Sequence, residues 1–372
     1  MKMFSIKPQI QIVTSVDEFI EQFDISEETL FVVAIPYFRD LLVKKIRKQI
    51  NTVVVSEYGS GEPSNELVEK ILNDVDLEKY KRVVGIGGGT VLDISKLFTL
   101  KNITPVLDLY EKRIKPQKAR ELVLVPTTCG TGSEMTNISI LELKERKTKL
   151  GLADDACYAD YSVIILELVK TLPFGVFATS SIDAFIHCAE AYVSPNATEF
   201  SRLFSKQGME LIIKGYQEIR EKGRDVFPIL CEQFMIASCF GGIAFGNAGT
   251  GTVHAMSYPL SGAYHVPHGE SNYVFFIEVF KTYSKLKPEG QIRLLNRFLA
   301  ELLGCVEDEV YEKLERLFAC IIQKKAMSDY GVSVEEIEGF TNNVVEKQGR
   351  LMKNAYVEFD KEQIREMFSR VL

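Results

Sequence analysis

The sequence predicts two domains, an α/β domain with a parallel sheet over residues 1–173 and an all-helical domain over 174–372. Three observations carry this. At 372 residues the chain exceeds the size at which one core keeps growing. Before Pro173, short apolar runs alternate with helix-like segments, the rhythm of parallel strands joined by helical crossovers. After it, apolar residues recur at spacings of three and four along long stretches, as in helices that bury one face.

In chain order, LFVVA at 30–34 has strand character and RDLLVKKIRKQI at 39–50 continues as helix. TVVVS at 52–56 is a second strand. EYGSGEPSNE at 57–66 is a loop by its Gly, Pro and Ser content, with Ser64 or Asn65 at the N-cap of the helix ELVEKILNDV at 66–75. RVVGI at 82–86 is a third strand, running into Gly87, Gly88, Gly89 and Thr90 and then the amphipathic stretch VLDISKLFTL at 91–100. A strand, a glycine turn and a helix start suit a phosphate, because glycine lets the backbone approach an anion and the first helical N–H groups attract it. The spacing is not GxGxxG, so the turn alone reads equally well as a tight connection. Asp93 and Lys96, three apart, either serve the ligand or pair on the helix surface.

LVLV at 122–125 repeats the pattern, and the loop after it offers hydroxyls from Thr127, Thr128, Thr131 and Ser133 beside Gly130 and Gly132. Two such loops after neighbouring strands predict a shared crevice beyond the strand ends, where open α/β sheets bind nucleotides. ELKERKTKLGLA at 142–153 reads as a hairpin ending near Lys149, and SVIIL at 162–166 as the last strand. Helices are then expected at 177–193, 199–221, 227–245, 292–304 and 310–325.

The chain has four histidines, and three of them, His254, His265 and His268, lie within NAGTGTVHAMSYPLSGAYHVPHGE at 247–270. The fourth, His187, follows Asp183 by four residues on an expected helix, so both project from one face. Imidazoles with one carboxylate suit iron, zinc or nickel, whereas an all-oxygen set suits magnesium or calcium. A lone histidine on an apolar helix is ordinarily a core residue, but four together are a metal-site composition. Pro259, Ser261, Gly262 and Pro267 allow a helix end and a turn to return His268 towards His254.

Apolar content of 46%, charged content of 26% and a net charge of -7 describe an ordinary globular chain and argue against nucleic acid or an anionic membrane as partner. The start, MKMFSIKPQIQIVTSVDEF, lacks a continuous apolar run and no stretch approaches eighteen uninterrupted apolar residues, so a cytoplasmic, unprocessed chain is expected. Seven cysteines without a CxxC pair are expected to be reduced, mostly buried thiols.

Four motifs together resemble those of the iron-containing alcohol dehydrogenases over nearly the whole chain: GIGGGTVLDISK at 85–96, PTTCGTGSEMT at 126–136, DAFIHCAEAY at 183–192 and HAMSYPLSGAYHVPHG at 254–269. The resemblance implies that Asp183, His187, His254 and His268 ligate one divalent metal, Fe2+ in most members and Zn2+ in some. It also implies that Gly87, Gly88 and Gly89 meet the pyrophosphate of NAD or NADP, that Thr127, Thr128 and Ser133 line the cofactor cleft, and that Asp93 and Lys149 are cofactor-side candidates. Tyr258 and Ser261 stand where many members have His and Gly. Ala34, Ile35 and Pro36 stand where many NAD-using members carry an aspartate, which leaves the choice between NAD and NADP open.

The activity expected from the resemblance is hydride transfer between nicotinamide C4 and a small alcohol or aldehyde carrying a carboxylate, namely 4-hydroxybutyrate and succinate semialdehyde. His265 is the candidate relay for the hydroxyl proton, with Tyr258 as competitor and structural support as the plainer reading of His265. A homodimer is allowed. The alternatives are a general or zinc-dependent polyol dehydrogenase, a non-redox lyase of the dehydroquinate synthase type, and a non-catalytic metal or nucleotide binder. Polyol screening with metal analysis, net NADH formation and turnover of any aldehyde separate them.

Overall fold

Six parallel strands build the sheet of the first unit, Ile6–Leu172. The computed structural model describes residues 3–59, 61, 63–146 and 148–372. Ser60 and Glu62 of the expected loop, Lys147 of the expected hairpin and the first two residues lie outside the described residues. In chain order the unit runs β1 (Gln9–Val13), α1 (Val16–Gln22), β2 (Thr29–Val33), α2 (Pro36–Ile46), β3 (Asn51–Val54), α3 (Asn65–Asp74), β4 (Arg82–Gly87), α4 (Gly89–Phe98), α5 (Val106–Tyr110), β5 (Glu121–Pro126), β6 (Ile138–Leu143), β7 (Thr148–Ala153), β8 (Tyr161–Ile165) and α6 (Leu166–Val169).

The sheet order is β1-β8-β5-β4-β2-β3, with β6 and β7 forming a separate antiparallel pair. Successive strand residues face opposite sides, and each side has its own core. Leu30, Val83 and Leu122 pack with α3, α4 and α5, while Phe31, Val84 and Val123 pack with α1 and α2. Burial on both faces is why these strands read as unbroken apolar runs. The chain steps outward from β2 to β3 and returns to β4 on the other side of β2, so the order reverses between β2 and β4. That reversal opens a crevice beyond the carboxyl ends of the two strands.

Four expectations change in this unit. β1, an edge strand with mostly exposed side chains, escapes the search for unbroken apolar runs because QIQIV alternates. α2 stops at Ile46, four residues early, because Arg47 adopts the left-handed conformation (φ 55°) and its N–H closes on the Val43 carbonyl. α4 is buried on every side from Val91 to Phe98, so it is not amphipathic. The hairpin continues past Lys149, which sits inside β7 opposite Glu142, as far as Ala153.

The second unit takes Pro173–Leu372 together with the start of the chain up to Ser5. Ser5 N–H donates to Asn247 Oδ1 (2.8 Å), and the Phe4 ring stacks on Phe200 at 5.4 Å. Its helices are α7 (Phe174–Val193), α8 (Glu199–Lys222), α9 (Phe227–Ala248), α10 (Thr252–Tyr264), α11 (His268–Leu286), α12 (Gln291–Leu303), α13 (Val310–Phe318), α14 (Ile337–Lys347), α15 (Gly349–Met352) and α16 (Lys361–Arg370). Interlocked rings hold the core: Phe177 lies 4.6 Å from Phe234, and Phe185 lies 5.0 Å from Phe318. α13 ends seven residues before the expected 325, because the N–H groups of Cys320 and Ile321 turn back to the carbonyls of Leu317 and Phe318. The stretch Arg224–Ala248 is long and apolar enough to cross a membrane by length and composition, but 61% of its most apolar window is buried inside the protein, as in a core helix. Cys129, Cys157, Cys188, Cys231 and Cys239 are buried, and burial pushes the Cys157 and Cys188 thiols up to about 12, as suits inert core filling.

Candidate functional site

Three helices of the second unit deliver four donors to one point. α7 presents Asp183 and His187 one turn apart, α10 presents His254, and α11 begins at His268. The return of the chain from α10 to α11 depends on His265, which takes the left-handed conformation (φ 53°), and on Pro267 at the N-cap of α11. Gly269 then lets the first turn of α11 abut α7, since a Cβ there would collide with the Thr179 carbonyl oxygen. This close approach sets His268 beside Asp183.

Asp183 Oδ1 lies 3.8 Å from Nε2 of both His254 and His268, and Oδ2 lies 3.9 Å from His187 Nδ1. One ligand atom from each of the four residues falls within 4.8 Å of the others. A tetrahedral ion with bonds of about 2.1 Å holds its ligand atoms about 3.4 Å apart, so the cluster closes on such an ion through donor shifts under about 1 Å. Three imidazole nitrogens and one carboxylate fit a divalent ion such as iron or zinc. Burial pushes the Asp183 carboxyl up, but the imidazoles of His187, His268 and His254 and a hydrogen bond from Asn272 outweigh it and hold the group below its ordinary range.

Two partners of this cluster escaped the sequence reading. Glu190 Oε2 lies 2.6 Å from His254 Nδ1, and the same carboxylate accepts the N–H groups of Gly251 (3.0 Å) and Val253 (2.6 Å). With Nδ1–H directed at Glu190, the Nε2 lone pair of His254 faces the other donors. Asn272 is the second, donating Nδ2 to Asp183 Oδ1 at 2.7 Å. Helical spacing held a clue to both: Glu190 follows Asp183 by seven residues and Asn272 follows His268 by four.

The two proton-relay candidates separate. His265 is the exposed C-cap residue of α10 and stands outside the four-donor cluster. Tyr258 is buried, with its ring 6.1 Å from that of His268.

In the first unit, β4 and β5 are neighbours with Gly87 opposite Pro126, and Thr127 N–H donates to the Gly87 carbonyl at 3.0 Å. The Gly87-Gly88-Gly89 turn and the loop carrying Thr127 and Thr128 therefore lie side by side. Among the described residues, no side chain caps the N-terminus of α4 at Gly88. Asp93 and Lys96 do not pair on a surface as one reading had it; both are buried. Lys96 Nζ donates to Ser133 Oγ (2.6 Å), Thr136 Oγ1 (3.1 Å), Asp93 Oδ1 (3.3 Å) and the Ile138 carbonyl (2.5 Å), and Ser133 Oγ donates to Asp93 Oδ1 (2.6 Å). These bonds tie α4 to the second loop. Lys149 lies on β7, outside both loops.

Glu134 follows Ser133, and both of its carboxylate oxygens are buried and, among the described residues, have no side-chain or neighbouring hydrogen-bond partner. Burial pushes it from 4.5 to about 7, against its own backbone N–H and the Lys96 charge. Between those two values the folded chain binds more protons than the unfolded one, so this group makes stability fall as pH rises from 4.5 to about 7. Glu134→Gln is therefore expected to be more stable than wild type at pH 8 by about 3 kcal/mol, and equal to it near pH 4. Urea unfolding at the two pH values measures this, and a variant less stable than wild type at pH 8 contradicts it.

Residues 11–165 match the iron-containing alcohol dehydrogenase family, and residues 177–372 match the C-terminal part of the Fe-containing alcohol dehydrogenase family. The chain is 44% identical over 364 residues to the 4-hydroxybutyrate dehydrogenase of Clostridium kluyveri, covering 98% of each. It is 31% identical to long-chain-alcohol dehydrogenase 1 of Geobacillus thermodenitrificans, covering 85% of this chain and 81% of that one. Its fold matches that of a sulfoacetaldehyde reductase from Bifidobacterium kashiwanohense, solved in complex with NAD+, with a TM-score of 0.84 at 19% identity over 100% of this chain and 98% of that one. With both units matched and this identity running from end to end, the chain belongs to the iron-containing alcohol dehydrogenase family.

Proposed function

We propose that the chain is an NAD- or NADP-dependent oxidoreductase that interconverts 4-hydroxybutyrate and succinate semialdehyde at a divalent metal centre. The observation that carries this is the 44% identity with a 4-hydroxybutyrate dehydrogenase across 98% of both chains. The four-donor cluster supports the metal part of the reading.

Asp183, His187, His254 and His268 would hold Fe2+, with Zn2+ as the alternative, and the ion when bound supplies Lewis acidity towards the substrate oxygen. NAD or NADP when bound would supply the hydride acceptor, and oxidation of the alcohol would then give the aldehyde, the reduced cofactor and one proton released from the hydroxyl. Tyr258, whose ring lies 6.1 Å from that of His268, is our candidate to relay that proton, its neutral hydroxyl accepting it only as its own proton passes on to water. Asp183 contributes the only anionic ligand, and Glu190 keeps the His254 ring in the tautomer that can donate a lone pair.

The dinucleotide would lie over the glycine turn and the Thr127–Thr128 loop, its pyrophosphate at the N-terminus of α4. Ala34, Ile35 and Pro36 follow β2 without a carboxylate to repel a 2′-phosphate, so NADP is admitted beside NAD. Gly88 is the discriminating position, since a Cβ there would meet only Thr128 at 3.4 Å, an ordinary contact. Gly88→Val should therefore leave the fold intact and weaken NADH binding about tenfold or more, or 1.4 kcal/mol. Unchanged affinity in a fluorescence titration contradicts this placement.

The reaction itself is tested by incubating the chain with 4-hydroxybutyrate and NAD or NADP. One reduced cofactor per semialdehyde formed is expected, whereas substrate consumption without net reduction supports the lyase alternative. In this reading the enzyme works in the cytoplasm, which fits its buried thiols and its lack of a polybasic run.

A further inference from the structure

Asn272 is fully buried, one turn after His268 on α11. Its Nδ2 lies 2.7 Å from Asp183 Oδ1, 3.1 Å from His254 Nε2 and 3.2 Å from His268 Nε2. Its Oδ1 is buried and, among the described residues, has no hydrogen-bond partner. A leucine of similar volume would fill this space without stranding an oxygen, so packing does not account for the carboxamide. What the side chain supplies is its NH2 group, two N–H donors close to Asp183 and to the imidazoles of His254 and His268.

An amide N–H only donates. One of its two N–H groups, facing Asp183 Oδ1, fixes the rotation of the carboxylate; the other can serve only one of the two Nε2 lone pairs, and a bound ion would replace it there. Glu190 imposes the same tautomer on His254 from the opposite side of the ring, at 2.6 Å from Nδ1.

We propose that Asn272 is a positioning residue of the metal centre, holding the Asp183 carboxylate in the rotation that turns its oxygens towards the three imidazoles. This role rests on the metal reading above. Partners that orient ligands in this way carry much of a site's affinity, and their loss typically weakens metal binding 10–100-fold.

The test uses Co2+ as the probe on the chelator-treated full chain, with its dissociation constant taken from chelator competition and its ligand geometry from the visible absorption bands. Asn272→Leu is expected to bind Co2+ 10–100-fold more weakly, with displaced bands, while its circular dichroism matches wild type. Asn272→Ser, which cannot overpack the site, is expected to weaken binding and displace the bands in the same sense. A folded variant of either kind with the wild-type constant and bands overturns the role of Asn272 alone. A wild-type chain that binds no Co2+ overturns the metal reading and this role with it.

Discussion

His254→Ala is expected to lose its divalent ion and at least roughly a thousandfold in turnover, the factor that corresponds to several kcal/mol of lost charge stabilisation. The fold should survive. Glu190, the partner of His254, keeps the backbone N–H groups of Gly251 and Val253 and so is not left as a bare buried charge. α10 also stays anchored elsewhere, through Tyr283, whose hydroxyl donates to Thr252 Oγ1 at 2.7 Å, and through Ser271 Oγ, which donates to the Ser257 carbonyl at 3.0 Å. Metal analysis beside circular dichroism checks the prediction, and a His254→Ala protein with full metal occupancy removes His254 from the ligand set.

The second large effect concerns the substrate. Succinate semialdehyde and butanal share a four-carbon chain and differ in the carboxylate. A carboxylate taken out of water needs a cation or several donors, and leaving it unpaired costs several kcal/mol. A site built for the acid therefore favours succinate semialdehyde by a factor on the order of a thousand in kcat/KM, because with butanal the site's own polar groups go unpaired. Tyr258 and Ser261, which replace the histidine and glycine of many family members, are both buried on α10, so the departure falls on the helix that carries His254. If butanal reacts as well as the acid, the chain is a general alcohol dehydrogenase.

Much of this was legible in the sequence because it rests on period and scarcity. Strands buried on both faces give unbroken apolar runs, the helical half shows its spacing, and four histidines in 372 residues make clustering conspicuous. What escaped depends on partners distant in the chain. Glu190 is an ordinary helical glutamate until His254 arrives 64 residues later, and Asn272 gains meaning only against Asp183, 89 residues before it. Lys96 read either as a ligand contact or as a surface partner of Asp93, because its acceptors, Ser133 and Thr136, belong to another loop. His265 drew notice for its chemistry, whereas the backbone uses it to end a helix. β1 was missed because its Gln–Ile alternation, QIQIV, is not the unbroken apolar run that marks the strands buried on both faces.

Hydride transfer in the proposed reaction would depend on one divalent ion held by Asp183, His187, His254 and His268. The measurement that tests it most directly is an anaerobic titration of the chelator-treated chain with Fe2+, following bound iron and the rate of NADH oxidation by succinate semialdehyde together. Both are predicted to rise in parallel and saturate at one ion per chain, with Zn2+ as the ion to substitute if Fe2+ fails to restore the rate. Full turnover in the metal-free chain would contradict the account.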